Sequence, residues 1–453
     1  MAEKVKILAL GLLNRFDEHA SAQLLFSRYE QNELGHPGAP EVAGESPGFT
    51  GLHGVAFFGI VEMAAPVLEM KKWDVNAPDC VGRTALIWAA GKGHEKVAKT
   101  LLEQEGINPD QADTYHCLTP LSWAAKGGHE GIMKILLEGR DVNSDQADTK
   151  CGRTPLSLAA EGGFEEAVKM LLELKGVNPD QADTKYGQTP LSWAAERGHE
   201  GIIKMLLERK EVNPNHIDTE YGRTPLSWAA ESGHEGVVKM LLEQEDVDPD
   251  HADTKNGRTP LSLAAEWGNE EVAKILLKRK DVDPNQKVTE DGQTPLFWAA
   301  DWGYDEIVKL LLERKDVDPN QTVTEDGQTP PSWAANWGYE EIVKMLFERE
   351  DFNPNQAATK DAQTPPSWAA EWLHEEIVQM LLEREDVDPN QAITEDGQTP
   401  LSWAVEWEQE KIVQILLERE DVNPNQVVTE DGQTPLSWAA ERMLLGRKDA
   451  NPN

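Results

Sequence analysis

Apolar positions along this chain follow one short pattern that keeps returning. In the stretch Gly187 to Asn215, GQTPLSWAAERGHEGIIKMLLERKEVNPN, residues Leu191, Ala194 and Ala195 share one face and predict a short helix with a small-sided apolar surface. After Gly198-His199, residues Ile202, Ile203, Leu206 and Leu207 recur at helical spacing and predict a second, longer helix carrying a stripe of branched side chains. The run Val212 to Gly222, with Asn213-Pro214-Asn215 and Tyr221-Gly222, is polar, has turn chemistry and lacks a helical period. It predicts a hairpin-like finger joining one helix pair to the next.

Local signals set the ends of these elements. Thr189 is placed to cap the first helix, and Pro190 fills its first position, where a fixed φ suits the turn and a missing N–H costs nothing. Gly198 ends the helix, because glycine enters the left-handed conformation without a Cβ clash. Arg209 and Lys210 follow the second helix and complement the negative end of its dipole in place of a capping glycine.

The pattern is periodic. The threonine of the Thr-Pro-Leu signature returns every 35 residues from Thr84 to Thr434, giving eleven copies in one register, and a worn twelfth begins at Thr50 in TGLHGVAFFG. Neither helix of a unit can bury its apolar face alone, so neighbouring units must stack and share a core. Helix, Gly-His turn, helix and finger, with Thr-Pro-Leu at the first helix and Val-Asn after the second, resemble the ankyrin repeat. The resemblance implies an all-α solenoid of about twelve helix-turn-helix units spanning residues 50–453. Its period is longer than the usual ankyrin period of about 33 residues, and the extra length falls mainly in the fingers. Residues 1–30 carry Val5, Leu8, Leu12 and Phe16 at helical spacing and predict a helical cap, and residues 31–49 have the Gly and Pro content of a linker.

Composition narrows the chemistry. A formal charge of −38 argues against nucleic acid and anionic membrane as partners, since both bind largely through positive charge. Cys80, Cys117 and Cys151 fall at three different positions of the repeat and form neither a disulfide framework nor a metal spacing, which fits a reducing, cytoplasmic or nuclear location. The apolar run Ile7 to Leu13 is too short to span a bilayer. No phosphate loop or nucleophile elbow is present, and every Asp, Glu and His of interest recurs with the repeat, so the chain reads as non-catalytic, with no cofactor and no metal. The turn histidines His94, His129, His199, His234 and His374 stand one per unit, and stacked helices about 8–10 Å apart hold them too far from one another to share an ion. They read as supports of the turn.

One feature departs from mere repetition. The position eight residues after the threonine reads Lys92, Gly127, Gly162, Arg197 and Ser232, then Trp267, Trp302, Trp337, Trp372 and Trp407. The residue before it is Glu266, Asp301, Asn336, Glu371 and Glu406 in those five copies. In the ankyrin family these positions face the concave groove, so the resemblance implies a tryptophan ladder edged by acid. Such a ladder suits a protein partner with a basic surface, through cation–π contact and ion pairing. The same ladder can instead continue the packing of the inner tryptophans, Trp88 to Trp438, which occupy the position four residues after the threonine in nine copies and read as core. The finger sequence changes at the same point in the chain, from an Ala-Asp-Thr core to Val-Thr-Glu-Asp, and one equivalent finger site varies as Lys287, Thr322, Ala357, Ala392 and Val427. These finger-tip positions are further candidates for partner binding.

The highly similar Trp-containing copies, preceded by Leu12-Leu13-x-x-Phe16 and Ala20-Ser21-Ala22-Gln23-Leu24-Leu25, resemble the C-terminal ankyrin arm of fungal NACHT-type (STAND, NLR-like) receptors. That resemblance implies a ligand-sensing arm, monomeric on its own and separated here from any nucleotide-binding switch. A structural spacer, or a fragment of a larger receptor without function of its own, is the other reading. Near the C-terminus Pro331 and Pro366 replace the core leucine, Ala362, Leu373 and Glu408 occupy glycine positions, and the last copy omits most of its second helix. Repeats from Thr364 onward are therefore expected to open first, as lower amide-exchange protection than in the middle repeats.

Overall fold

A computed structural model of the chain describes residues 11, 49–138, 142–287, 292–321, 329–355, 365–372, 374–391, 398–427 and 432–440. The helical cap expected over residues 1–30 and its linker lie almost entirely outside this set, as do Ala362, Thr322, Ala357, Ala392 and the truncated end of the last copy. The chain divides into two compact units, Met1–Glu220 and Tyr221–Asn453. Each is built from helix pairs.

The first unit contains Gly51–Phe58 with Val61–Glu69, Ala85–Gly91 with Glu95–Leu102, Pro120–Lys126 with Glu130–Leu137, Pro155–Gly162 with Glu165–Leu172, and Pro190–Arg197 with Glu200–Leu207. The second contains Pro225–Glu231 with Glu235–Leu242, Pro260–Glu266 with Glu270–Leu277, Pro295–Asp301 with Asp305–Leu312, Pro330–Trp337 with Glu340–Phe347, Pro365–Glu371 with Glu375–Leu382, and Pro400–Glu406 with Glu410–Leu417. A further helical start covers residues 435–440. The solenoid of about twelve helix pairs read from the sequence is the observed architecture.

The local signals act as their chemistry requires. Thr189 holds an extended backbone and its Oγ1 accepts the Ser192 N–H at 3.2 Å, while Gly198 closes the helix at φ 77°. Leu191, Ala194, Ala195, Ile202, Ile203 and Leu206 are fully buried, each large side chain contributing roughly 1.5–3 kcal/mol of transfer free energy. Within each unit, first helices pack on the first helices of neighbouring repeats and second helices on second helices.

The turn histidines reach backwards. His199 Nε2 donates to the Glu161 carbonyl at 3.0 Å, His129 to Gly91 at 3.2 Å, and His374 to Asn336 at 3.1 Å. Each bond satisfies a carbonyl near the end of the preceding first helix, where no intrahelical donor is available. Asn269 does the same with an amide, donating to Glu231 at 2.8 Å. Space for the imidazole comes from the glycine of the preceding repeat: a Cβ on Gly163 would lie 2.6 Å from His199 Cε1.

Among the described residues, two positions where glycine is the rule hold other residues in the left-handed region. Cys117 (φ 61°) stands where Gly187 (φ 75°) stands in its repeat, and Glu408 (φ 58°) where Gly198 stands. A side chain there costs on the order of 1 kcal/mol. Cys117→Gly and Glu408→Gly should therefore each raise stability by about 0.5–1 kcal/mol, read as later urea midpoints. An earlier midpoint for either variant would show that the side chain makes compensating contacts. At the far end, Leu436 is 56% exposed although its counterpart Leu191 is fully buried.

Candidate partner-binding surface

The surface begins at the finger. Asp183 is buried, and its carboxylate accepts the N–H groups of Lys185 at 3.0 Å and Tyr186 at 2.7 Å and the indole N–H of Trp193 at 3.1 Å. Asp113 serves Tyr115 and Trp123 in the same way, and Asp79 serves Val81, Arg83 and Trp88. Over the inner ring lies a guanidinium: Arg83 stands 4.4 Å from the Trp88 centroid, Arg153 4.3 Å from Trp193 and Arg258 5.2 Å from Trp298. Trp88, Trp123 and Trp193 are thus pinned edge-on by a carboxylate and face-on by a cation.

They are not uniformly core, as the sequence suggested. Trp88 and Trp193 are buried, but Trp123, Trp228, Trp298, Trp333, Trp368 and Trp403 are only half-buried. In the second unit Nε1 of Trp298, Trp333, Trp368 and Trp403 is buried and has no partner. The sequence gives the reason, because the finger position held by Asp183 becomes Val288, Val323, Ala358 and Ile393 in those repeats. None of these can accept a hydrogen bond from an indole.

The outer ladder is open to solvent. Trp267, Trp302, Trp337, Trp372 and Trp407 are each 55–60% exposed, all five on the second unit. Trp267, Trp302 and Trp407 are the residues at which their first helices end, and Trp337 is the last residue of its helix. A side chain at this point projects past the last packed turn. Exposure of more than half of each ring weighs against the reading in which they fill space between repeats. Trp407 stacks on Trp403 at 6.1 Å with the planes 13° apart, so that outer ring is backed by the inner one of its repeat.

The acidic edge has internal duties. Glu266 pairs with Arg258 at 2.9 Å, and Gln398 donates to Glu406 at 3.2 Å. Burial raises the carboxyl of Glu266 above the usual range, with Arg258 pulling it back, and burial likewise raises that of Asp301, opposed by the Trp337 indole. Asn336 is half-buried, and the side chain of Glu371 lies outside the described set. Glu266, Asp301, Asn336 and Glu406 are thus half-buried, and Glu266 and Glu406 are engaged by side chains of their own repeats. Of the finger-tip candidates, Lys287 and Val427 are exposed, and Thr322, Ala357 and Ala392 are not among the described residues.

A second ladder was not read from the sequence. Arg279, Arg314, Arg349, Arg384 and Arg419 each form a two-pronged pair with the aspartate two residues on, as in Arg384 with Asp386 at 2.8 and 2.6 Å. Each also donates to a carbonyl of the repeat before, as Arg384 does to Phe347 at 2.6 Å. The guanidinium thus caps the preceding second helix, whose last carbonyls have no glycine motif to satisfy them. Its signal was the recurring Arg-x-Asp beginning two residues after the second helix in those five repeats.

A family model described as "Ankyrin repeats (3 copies)" matches the chain in overlapping segments that together cover residues 18–450. The chain belongs to the ankyrin-repeat family. Ankyrin repeats generally mediate protein–protein interaction, and proteins built from them are typically non-enzymatic scaffolds. Among solved structures, the human ASB11 ankyrin repeat domain is similar at 26% identity, covering 51% of this chain and 98% of that one, with a TM-score of 0.44. No curated protein matches the chain. Among the described residues, no helix of this ankyrin protein is long and apolar enough to cross a membrane.

Proposed function

We propose that this ankyrin array is a non-catalytic scaffold that binds another protein through the outer tryptophan ladder of its second unit. The observation that carries the reading is the register of five indoles, Trp267, Trp302, Trp337, Trp372 and Trp407, each more than half exposed at one repeat position. Contiguous exposed apolar surface on a soluble protein marks an interaction site, and tryptophan is the residue most enriched at binding hot spots. The net charge of −38 carried by the whole chain favours a basic partner. Arginine and lysine side chains would sit on the indole faces by cation–π contact. The exposed finger residues Lys287 and Val427 extend the surface. A spacer that only separated its ends would need no such row of aromatics.

The test compares the wild-type chain with a variant carrying serine at all five outer positions, titrated calorimetrically with acetylated octa-arginine at physiological ionic strength. Loss of binding with an unchanged helical circular-dichroism spectrum supports the reading. Equal binding by a folded variant removes the ladder from recognition.

A further inference from the structure

The arginine at the repeat position before the signature threonine has a constant partner. Arg153 pairs with Glu161 at 2.7 Å, Arg223 with Glu231 at 2.6 Å and Arg258 with Glu266 at 2.9 Å, and in each case the carboxylate lies eight residues later. Arg83 breaks the rule. Its register partner is Gly91, and the corresponding residue of the next repeat is Lys126. Arg83 is only 6% exposed, its Nε has no partner, and its guanidinium lies between two indoles, 4.4 Å from Trp88 and 4.6 Å from Trp123. Nε is also unpartnered at Arg153 and Arg258, but those guanidiniums keep their Nη pairs. The nearest finger carboxylates, Asp79 and Asp113, are committed to backbone N–H groups and to the Trp88 and Trp123 indoles.

The unpaired guanidinium opens into a cavity of about 350 Å³, also lined by Lys92, His116 and Lys126. A buried cation without its counter-charge is costly, and the cost is met when an anion enters. We infer that this cavity of the first unit is a carboxylate-binding site, in which Arg83 takes the ligand carboxylate at the place Glu161 fills in the Arg153 repeat, Lys126 adds charge at the rim, and Trp88 and Trp123 form the walls. His116 contributes no charge at neutral pH, since burial, helped by Arg83 and Lys126, pushes its ring down to about 4. The site stands in the opposite unit from the tryptophan ladder and selects the opposite charge, so it neither rests on nor implies the reading proposed above. A carboxylate can come from a Glu or Asp side chain of a peptide or from a small free acid.

The full-length chain is titrated at low ionic strength with three probes: acetylated hexaglutamate amide, its hexaglutamine counterpart, and glutarate. Hexaglutamate should bind and hexaglutamine should not. Binding of glutarate as well would identify small carboxylates as ligands, whereas its silence would assign the site to acidic peptide. Gly91→Glu supplies the missing carboxylate in cis and should weaken hexaglutamate at least about tenfold. The helix tolerates it, because the nearest atom that a Cβ at Gly91 meets is Trp123 Cε3, at an ordinary contact of 3.5 Å. Lys126→Glu, at an exposed position, should weaken binding by a similar factor. Serine at the five outer tryptophans should change nothing. No hexaglutamate binding by wild type at millimolar concentration, or equal binding by folded Gly91→Glu and Lys126→Glu, overturns the inference.

Discussion

Replacing Asp183 with alanine will destabilise the first unit by about 3 kcal/mol or more. Its carboxylate is 3% exposed and is the acceptor for three donors: the Lys185 and Tyr186 N–H groups and the Trp193 indole. Alanine leaves the buried Trp193 indole N–H and the part-buried Lys185 and Tyr186 N–H groups without that acceptor, and an unsatisfied buried donor costs roughly 1–3 kcal/mol. The finger also loses the turn that brings Asp183 N–H to the Gln188 carbonyl at 2.9 Å and presents the Tyr186 carbonyl to Thr219 N–H at 2.8 Å. The loss therefore spreads to the next finger. Hydrogen exchange resolved by repeat, together with the urea midpoint, measures the effect. A shift equivalent to less than about 1 kcal/mol would mean that water replaces the carboxylate at no cost and that Asp183 does not hold the finger and Trp193 in place.

Serine at all five outer tryptophans is the second large effect, and it falls on binding. Hot-spot tryptophans each contribute about 2 kcal/mol or more when truncated, and five acting on one ligand do not add independently. A loss of at least about 100-fold in affinity for a basic ligand is the conservative expectation. The fold should persist, because the same register position is Ser232 or Gly127 in repeats that form the same helix pairs. A variant that unfolds would return these rings to the core. A folded variant with undiminished affinity would leave the acidic surface as the sole attractant.

The architecture was legible because its signals are local. Thr189, Pro190 and Gly198 act within one helix, and the spacing of Ile202, Ile203 and Leu206 reports one buried face. What lay beyond reading is what joins one repeat to another. Arg384 reaches a carbonyl 37 residues away, and His199 one 38 residues away, and neither distance leaves a mark in the sequence of a single unit. The tryptophan question was ambiguous for a related reason. Residues four apart share a helix face, so Trp298 and Trp302 look alike by periodicity. Only the point where the helix ends, at Trp302, separates a half-buried ring from an exposed one. The internal pairing of the acidic edge was hidden, because Glu266 meets Arg258 across the start of a helix, eight residues apart, at a spacing that no helical period announces. The missing partner of Arg83 became visible only once that pairing was known.

Hydroxyl-radical footprinting of the wild-type chain, quantified tryptophan by tryptophan with and without acetylated octa-arginine, puts the central claim to its most direct test. In the free chain Trp267, Trp302, Trp337, Trp372 and Trp407 should oxidise several-fold faster than the buried Trp88 and Trp193, and the peptide should slow those five while leaving the buried pair unchanged. Outer tryptophans that are already protected in the free chain, or that oxidise equally fast with the peptide bound, would contradict a recognition face built on this ladder.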